Sequence, residues 1–243
     1  MKKIFLLLFA AGTLFLIPVS CNKSDDSNQY TAYIFPSGAV ADYIATTFSS
    51  AAGGINDHLE NTAILAGRNY SSNATIDSNF IHKKLDSAAI IKYDYNVNYS
   101  FARLNSSPPK FTLSYDAEGS FTGPLVNSTG NLTGDYTVTG LDTTSTYYLL
   151  NGAGSGGGNQ TSIYYNNVSF SSTFRVTFKN ITLDKVSHMV VSGSATLGSS
   201  GTGPAGVPFS YSGTITFLGN RLATLEFDGK TYQVDLATAK ITK

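Results

Sequence analysis

The sequence predicts a mainly β fold of α+β type: an antiparallel meander, as a curled sheet or sandwich, with an N-terminal helical segment packed on one face. Three observations carry that expectation. Apolar residues recur every three or four positions from Val40 to Ala66, the helical period. From Ile90 onward the period falls to two, that of a strand with one buried face. Turn signals, with no helical stretches between them, separate the alternating runs, so successive strands are expected to pair antiparallel.

The helical segment spans residues 37–66. Val40, Ile44, Phe48, Ala52, Ile55, Leu59, Ala63 and Ala66 form its stripe, with Ser37 as N-cap and Gly67 as stop. Gly53 and Gly54 interrupt it, each costing about 1 kcal/mol relative to alanine. The apolar phase carries across them, so the helix is expected to kink or split there into two collinear pieces on one surface. Asp42, Thr46, Asn56 and Glu60 are expected to face water. Residues 67–89 read as a linker.

Residues 90–243 read as the β domain. Tyr93, Tyr95, Val97, Tyr99 and Phe101 alternate with Asp94, Asn96, Asn98 and Ser100, and the Ser106-Ser107-Pro108-Pro109 run ends that strand. Alternation resumes at Phe111/Leu113/Tyr115, Tyr136/Val138, Phe174/Val176/Phe178, Val191/Ala195/Leu197 and Phe209/Tyr211/Ile215/Phe217. Two stretches, residues 152–158 and 199–204, are rich enough in glycine and serine to read as inter-strand loops. Asp228-Gly229 is a type I′ turn signal that pairs Phe227 with Lys230, Leu225 with Tyr232 and Ala223 with Val234. A two-residue turn at Gly219-Asn220 would put Phe217 on the wrong face for Leu225, so an odd loop or bulge is expected near residues 219–221.

Composition narrows the function classes. With 16 Lys and Arg against 16 Asp and Glu the chain has no basic field, and no nucleic acid partner is expected. The one cysteine allows neither a disulfide nor a thiolate metal site, so stability rests on apolar burial, to which 15 Phe and 15 Tyr contribute.

That cysteine, Cys21, ends an N-terminal segment in which Lys2 and Lys3 precede an almost wholly apolar run, residues 4–17. The run is shorter than the roughly 20 residues of a membrane-spanning helix. Leu16-Ile17-Pro18-Val19-Ser20-Cys21 resembles the lipobox of bacterial lipoproteins, which implies a signal peptide over residues 1–20 and a lipid on the Cys21 thiol. An ordinary secretory signal and an uncleaved anchor are the alternatives. Loss of Lys2 and Lys3 would leave 14 basic against 16 acidic residues, a net charge near −2. The run that follows, Asn22 through Asn28 with Lys23, Ser24, Asp25 and Asp26, is similar to the export signal of Bacteroidota surface lipoproteins, and implies display on the outer membrane. It also reads as a plain solvated tether, residues 21–36. Asp86-Ser87-Ala88 and Asp142-Thr143-Thr144 are similar to the O-glycosylation sequon of the same bacteria, implying modification at Ser87 and Thr143.

Local motifs for chemistry do not hold up. Gly152-x-Gly154-x-x-Gly157 matches a dinucleotide fingerprint, but Ile163-Tyr164-Tyr165 beyond it reads as strand, where the phosphate site needs a helix N-terminus. Ser107 and Lys110 have a Ser-x-x-Lys spacing that two prolines keep off a helix. His58, His82 and His188 fall on a helix, a linker and a strand edge without ligand spacing, and read as surface or satisfied histidines. Asp116 and Glu118 share the face opposite Phe111, Leu113 and Tyr115, a solvated acidic edge. No catalytic residue, metal or cofactor is expected. Tyr93, Tyr95, Tyr99 and Phe101 are the candidate ligand-facing aromatics, with core packing as the alternative.

The reading is a lipid-anchored outer-membrane lipoprotein, surface-exposed and non-enzymatic, with a binding or structural role and a glycan, lipid or protein partner. The alternative is a carrier holding a hydrophobic ligand between curved sheet and helix. A hydrolase assembled from distant residues comes third. Acyl chains bind membranes with about 0.8 kcal/mol per buried CH₂, so Cys21→Ser is expected to move the protein from the membrane to the soluble fraction. A serine variant that stays membrane-bound and uncleaved would identify residues 1–18 as an anchor.

Overall fold

The structure, a computed structural model, describes residues 34–68, 73–85 and 88–242. Two helices precede the sheet: α1 (Ser37–Phe48) and α2 (Ile55–Ala66), with a 3₁₀ turn, Ser50–Ala52, between them. Eleven described strands follow as one antiparallel meander in chain order. They are β1 (Thr75–Lys84), β2 (Lys92–Leu104), β3 (Lys110–Thr122), β4 (Val126–Thr139), β5 (Tyr147–Ser162) and β6 (Val168–Asp184), then β7 (Val190–Thr202), β8 (Pro208–Gly219), β9 (Leu222–Phe227), β10 (Lys230–Asp235) and β11 (Lys240–Thr242). The expected mainly β class with a helical segment on the sheet is therefore the observed one.

All twelve residues of α1 are buried. A helix covered on every side needs neighbours on every side, and α1 lies against β4 and β5 as well as β9 and β11. The sheet curls around it without closing, since β1 and β11 remain its two ends. Aromatic rings fill the contact: Tyr43 meets Phe121, Phe170 and Phe174, and Phe48 lies 6.3 Å from Phe178 and 6.4 Å from Phe217, centroid to centroid.

The helical pair also joins the two ends of the sheet. Ser49 Oγ and the Ser50 amide both donate to the carbonyl of Leu236, just past β10, at 2.9 and 2.8 Å. From α2, Asp57 pairs with His82 of β1 at 3.3 Å, and Glu60 takes a two-pronged bond from Arg221 at the β8–β9 turn, at 3.2 and 2.8 Å. The break between the helices falls at Ser49, whose backbone turns extended. Gly53 sits at φ +62° against the Tyr93 ring, and Gly54 packs on the Thr47 carbonyl, so neither position has room for a side chain.

Several sequence expectations need correction. Asp42, Thr46 and Asn56 are buried, because the curled sheet covers the helix side that was assigned to solvent. Ser37 lies inside α1 and makes no side-chain cap, whereas Gly67 does end α2. Most of the described part of the supposed linker is β1, paired with β2 along its whole length. Residues 152–158 belong to β5 and residues 199–202 to β7. The glycines of β5 answer to neighbours rather than to looping: the Tyr136 ring folds over Gly152 and the Phe174 ring over Gly156. Conversely Ile163, Tyr164 and Tyr165 form the β5–β6 turn. Val191 points outward, two residues before a register shift against β6 at Gly193, φ +127°.

The C-terminal hairpin pairs as expected, Phe227 with Lys230 and Leu225 with Tyr232. The expected bulge falls between Phe217 and Gly219, which puts Phe217 and Leu225 on one buried face. Phe48→Asp places a carboxylate among Phe178 and Phe217 and is expected to destabilise by at least the roughly 3–5 kcal/mol of a large core truncation. A urea midpoint equal to the parent's would show that α1 contributes nothing to holding the sheet.

Candidate functional site

The inner face of β2 and β3 meets α2 through an aromatic cluster. Ile55, His58, Leu59, Thr62, Ala63 and Ala66 form the buried stripe of α2, so His58 points at the sheet by phase. Its ring stacks on Tyr115 with centroids 4.1 Å apart, and Nδ1 lies 2.8 Å from the Tyr99 hydroxyl. Asn61 also donates to that hydroxyl at 3.4 Å, and the Tyr136 hydroxyl donates to that of Tyr115 at 3.3 Å. His58 Nε2 finds no hydrogen-bond partner among the described residues.

Burial, reinforced by the charge of His82, holds His58 neutral down to about pH 3. Burial likewise pushes the hydroxyls of Tyr95, Tyr99, Tyr115 and Tyr136 well above the usual phenol range. Tyr43, beside Thr47, Ser128 and Gln160, is pushed up to about 12 by the same cause. These groups are neutral and enclosed. They orient the helices on the sheet rather than meet a solute.

Tyr93, Tyr95, Tyr99 and Phe101 are thus all buried beneath the helical segment or against neighbouring rings. Beneath α2 the space in which a carried ligand was expected is occupied by side chains, while beside α1 a pocket of about 290 Å³ opens among Asp42, Leu125, Tyr164, Ile241 and Thr242. Beside Tyr43, Thr47, Tyr95 and Ser128 a void of about 10 Å³ remains, the size of one water. Cys21, Lys23, Ser24, Asp25, Asp26 and Ser87 lie outside the described residues. Thr143 is exposed in the β4–β5 connection, next to Asp142. The Thr144 hydroxyl, then the Ser145 and Thr144 amides, bond the Asp142 carboxylate and hold it at about 2.

The outer face of the sheet is not among the candidate sites read from the sequence, where residues 152–158 and 199–204 read as loops. Its rungs run Ser120, Thr129, Asn159, Ser171, Thr202 and then Glu118, Asn131, Gly157, Thr173, Ser200, Ser210. Two adjoining grooves cross this wall. One, of about 540 Å³, is lined by Thr129, Asn159, Thr161, Ser171 and Thr202. The other, of about 560 Å³, is lined by Thr173, Arg175, Gly198, Ser200 and Ser212. Hydroxyl pairs knit the wall, Ser171 to Thr202 at 2.8 Å and Thr133 to Ser155 at 2.8 Å. Gly198 leaves the second groove open: a Cβ there would meet nothing closer than the Tyr211 carbonyl at 4.0 Å. A signal for the wall exists in the sequence, since Ser, Thr and Asn predominate at the alternate positions of these strands.

Among the described residues no three His, Cys, Asp or Glu side chains gather as a metal site, and no helix is long and apolar enough to cross a membrane. Compared with known proteins, the chain matches no family model, no curated protein and no solved structure.

His58 makes stability depend on pH. Its folded value lies below the ordinary 6.5, so the unfolded chain takes up the proton first and stability falls as pH drops through 6.5 toward 3. From pH 6.5 to 5 the loss is expected to be about 1.5 kcal/mol. His58→Phe keeps the stack and removes the titration, so its urea midpoint should stay level over that interval. Parallel curves for parent and variant would contradict the assignment.

Proposed function

We propose that this protein is an envelope lipoprotein, anchored by lipid on Cys21, whose folded body is a non-enzymatic binding module using the outer wall of its sheet. The observation that carries this reading is the pair of adjoining grooves across β3 to β8. They offer hydroxyl and amide groups that donate and accept hydrogen bonds, and Arg175 is the charged side chain that lines them. An uncharged polyhydroxylated polymer, a neutral glycan, is the chemical complement of such a surface, because each of its hydroxyls both donates and accepts. A charged polymer would lose solvation there with little ionic return.

The side chains packed beneath α2, and the larger size of the outer grooves, about 540 and 560 Å³ against about 290 Å³ for the pocket beside Asp42, favour an outward role over a carrier role. Display on the outer membrane, with Asp25 and Asp26 in the export signal, is part of the same proposal, as is glycosylation at Ser87 and Thr143.

Gly198→Ile fills the second groove where the backbone has room, and is expected to leave stability within about 1 kcal/mol of the parent or higher. Arrays of neutral and charged oligosaccharides are expected to retain the parent on neutral members only. The variant should be retained several-fold less. Parent protein that binds no neutral glycan, or a variant that binds as the parent does, would remove the groove from the reading.

A further inference from the structure

The connections of a meander alternate between two ends of the sheet, and here the ends differ in chemistry. At one end lie β1–β2, β3–β4, β5–β6, β7–β8 and β9–β10, with sequences that include Gly123-Pro124-Leu125, Ile163-Tyr164-Tyr165-Asn166-Asn167 and Gly203-Pro204-Ala205-Gly206-Val207. Apart from Asp86 and Asp228, these five connections carry no charge. The opposite end carries Asp142, Lys185, His188 and Arg221 among its Ser, Thr and Asn residues.

The uncharged connections are physically continuous. The amides of Ile163 and Tyr164 donate to the Leu125 carbonyl at 2.8 and 3.4 Å, and Ile91 packs over Gly123. The Tyr165 ring lies on Gly38 at the start of α1, and the Phe35 ring lies on Gly203 while stacking on Phe209 at 4.8 Å. Chain order therefore brings Ile34, the first described residue, out at this same end. Large apolar side chains stand clear of the surface there: Ile34 and Ile90 are 79% exposed, Tyr164 63%, Leu85 56% and Ile163 37%. The opposite end exposes apolar side chains too, Val186, Leu218, Leu222 and Tyr147 among them, so what sets this end apart is that its connections are nearly uncharged and that the chain leaves the fold from it.

We infer that this rim is a membrane-seating surface: it rests in the headgroup region of the bilayer that holds the lipid on Cys21. The inference depends on the lipid-anchor reading. The occupant is fixed by where the chain leaves the fold, since residues 22–33 join Ile34 to the lipidated cysteine and reach about 45 Å at full extension, which holds the rim within touch of the surface. The rim chemistry agrees. Tyrosine has an apolar ring and a polar tip suited to the interface, isoleucine and leucine suit the acyl boundary, and the nearly uncharged connections keep the desolvation cost of seating low, with Lys83, Lys84 and Lys92 at the adjoining strand ends suited to headgroup phosphates. Seated this way, the body turns the polar wall of β3 to β8 sideways along the membrane surface and its charged end away from it.

The chain contains no tryptophan and one cysteine, which makes the test clean. Protein comprising residues 21–243 is coupled through Cys21 to a maleimide-bearing lipid in phosphatidylcholine vesicles, with and without brominated phosphatidylcholine. Single reporters are Tyr164→Trp and Ile90→Trp on the rim, and Val186→Trp, 88% exposed at the opposite end. Both rim reporters are expected to shift to shorter emission wavelength and lose most of their intensity in brominated bilayers, while Val186→Trp keeps its aqueous spectrum. Two rim reporters from different connections guard against one failing to fold. Equal quenching at both ends, or none at either, would overturn the inference. Chemical coupling stands in for acylation, so failure of the natural anchor is read separately from the cellular fate of Cys21→Ser.

Discussion

Everything in this structure depends on a twelve-residue helix that has no solvated side. The residues of α1 that a helical wheel would assign to water, Asp42 and Thr46, are as deeply buried as Val40 and Ile44. The sheet must therefore supply both walls, and it does so by curling until β4 and β5 face β9 and β11 across the helix. Small residues make the close approach feasible: Ala39, Ala41 and Ala45 on the helix, glycines along β5. The twist inherent in every strand provides the curl.

An eleven-stranded antiparallel meander leaves its first and last strands running in the same direction, so they cannot close by continuing the antiparallel ladder. The helical pair bridges them instead. Ser49 and Ser50 bond to Leu236 beyond β10, Asp57 reaches β1 and Glu60 reaches the β8–β9 turn. The Glu60–Arg221 ion pair and the Asp57–His82 contact are partly screened by solvent and contribute modestly. Apolar burial beneath α2, with His58 between Tyr99 and Tyr115, provides most of the attachment. The neutral state of His58 follows from that burial and makes the attachment weaken in acid.

The aromatic packing beneath α2 directs attention outward. The aromatic residues most suggestive in the sequence are committed to packing, while the modest Ser, Thr and Asn residues of the outer rungs line the two largest grooves described here. The two rims both expose apolar side chains and differ in the charge of their connections and in where the chain enters the fold. Wall and rim are independent features, since one is built from strand positions facing outward and the other from connections.

The period-two alternation, the helical stripe and the Asp228-Gly229 turn were legible because each depends on neighbours within a few residues, where side-chain direction follows from backbone period alone. The bulge near Gly219 was legible for the same reason, since two hairpin registers had to agree on one buried face. The assignment of β5 and β7 segments to loops failed because glycine signals conformational freedom locally, whereas here it answers to the rings of Tyr136 and Phe174 on neighbouring strands. The burial of Asp42, the strand at residues 75–84, the meeting of His58 with Tyr99 and Tyr115, and the gathering of Leu125, Tyr164 and Ile34 on one rim join residues far apart in the chain. By itself the sequence determined the fold class and the order of most elements, both of which rest on local pattern. Only the tertiary structure decided which faces meet and which remain outside, because that depends on how far the sheet curls, a property of all its strands together.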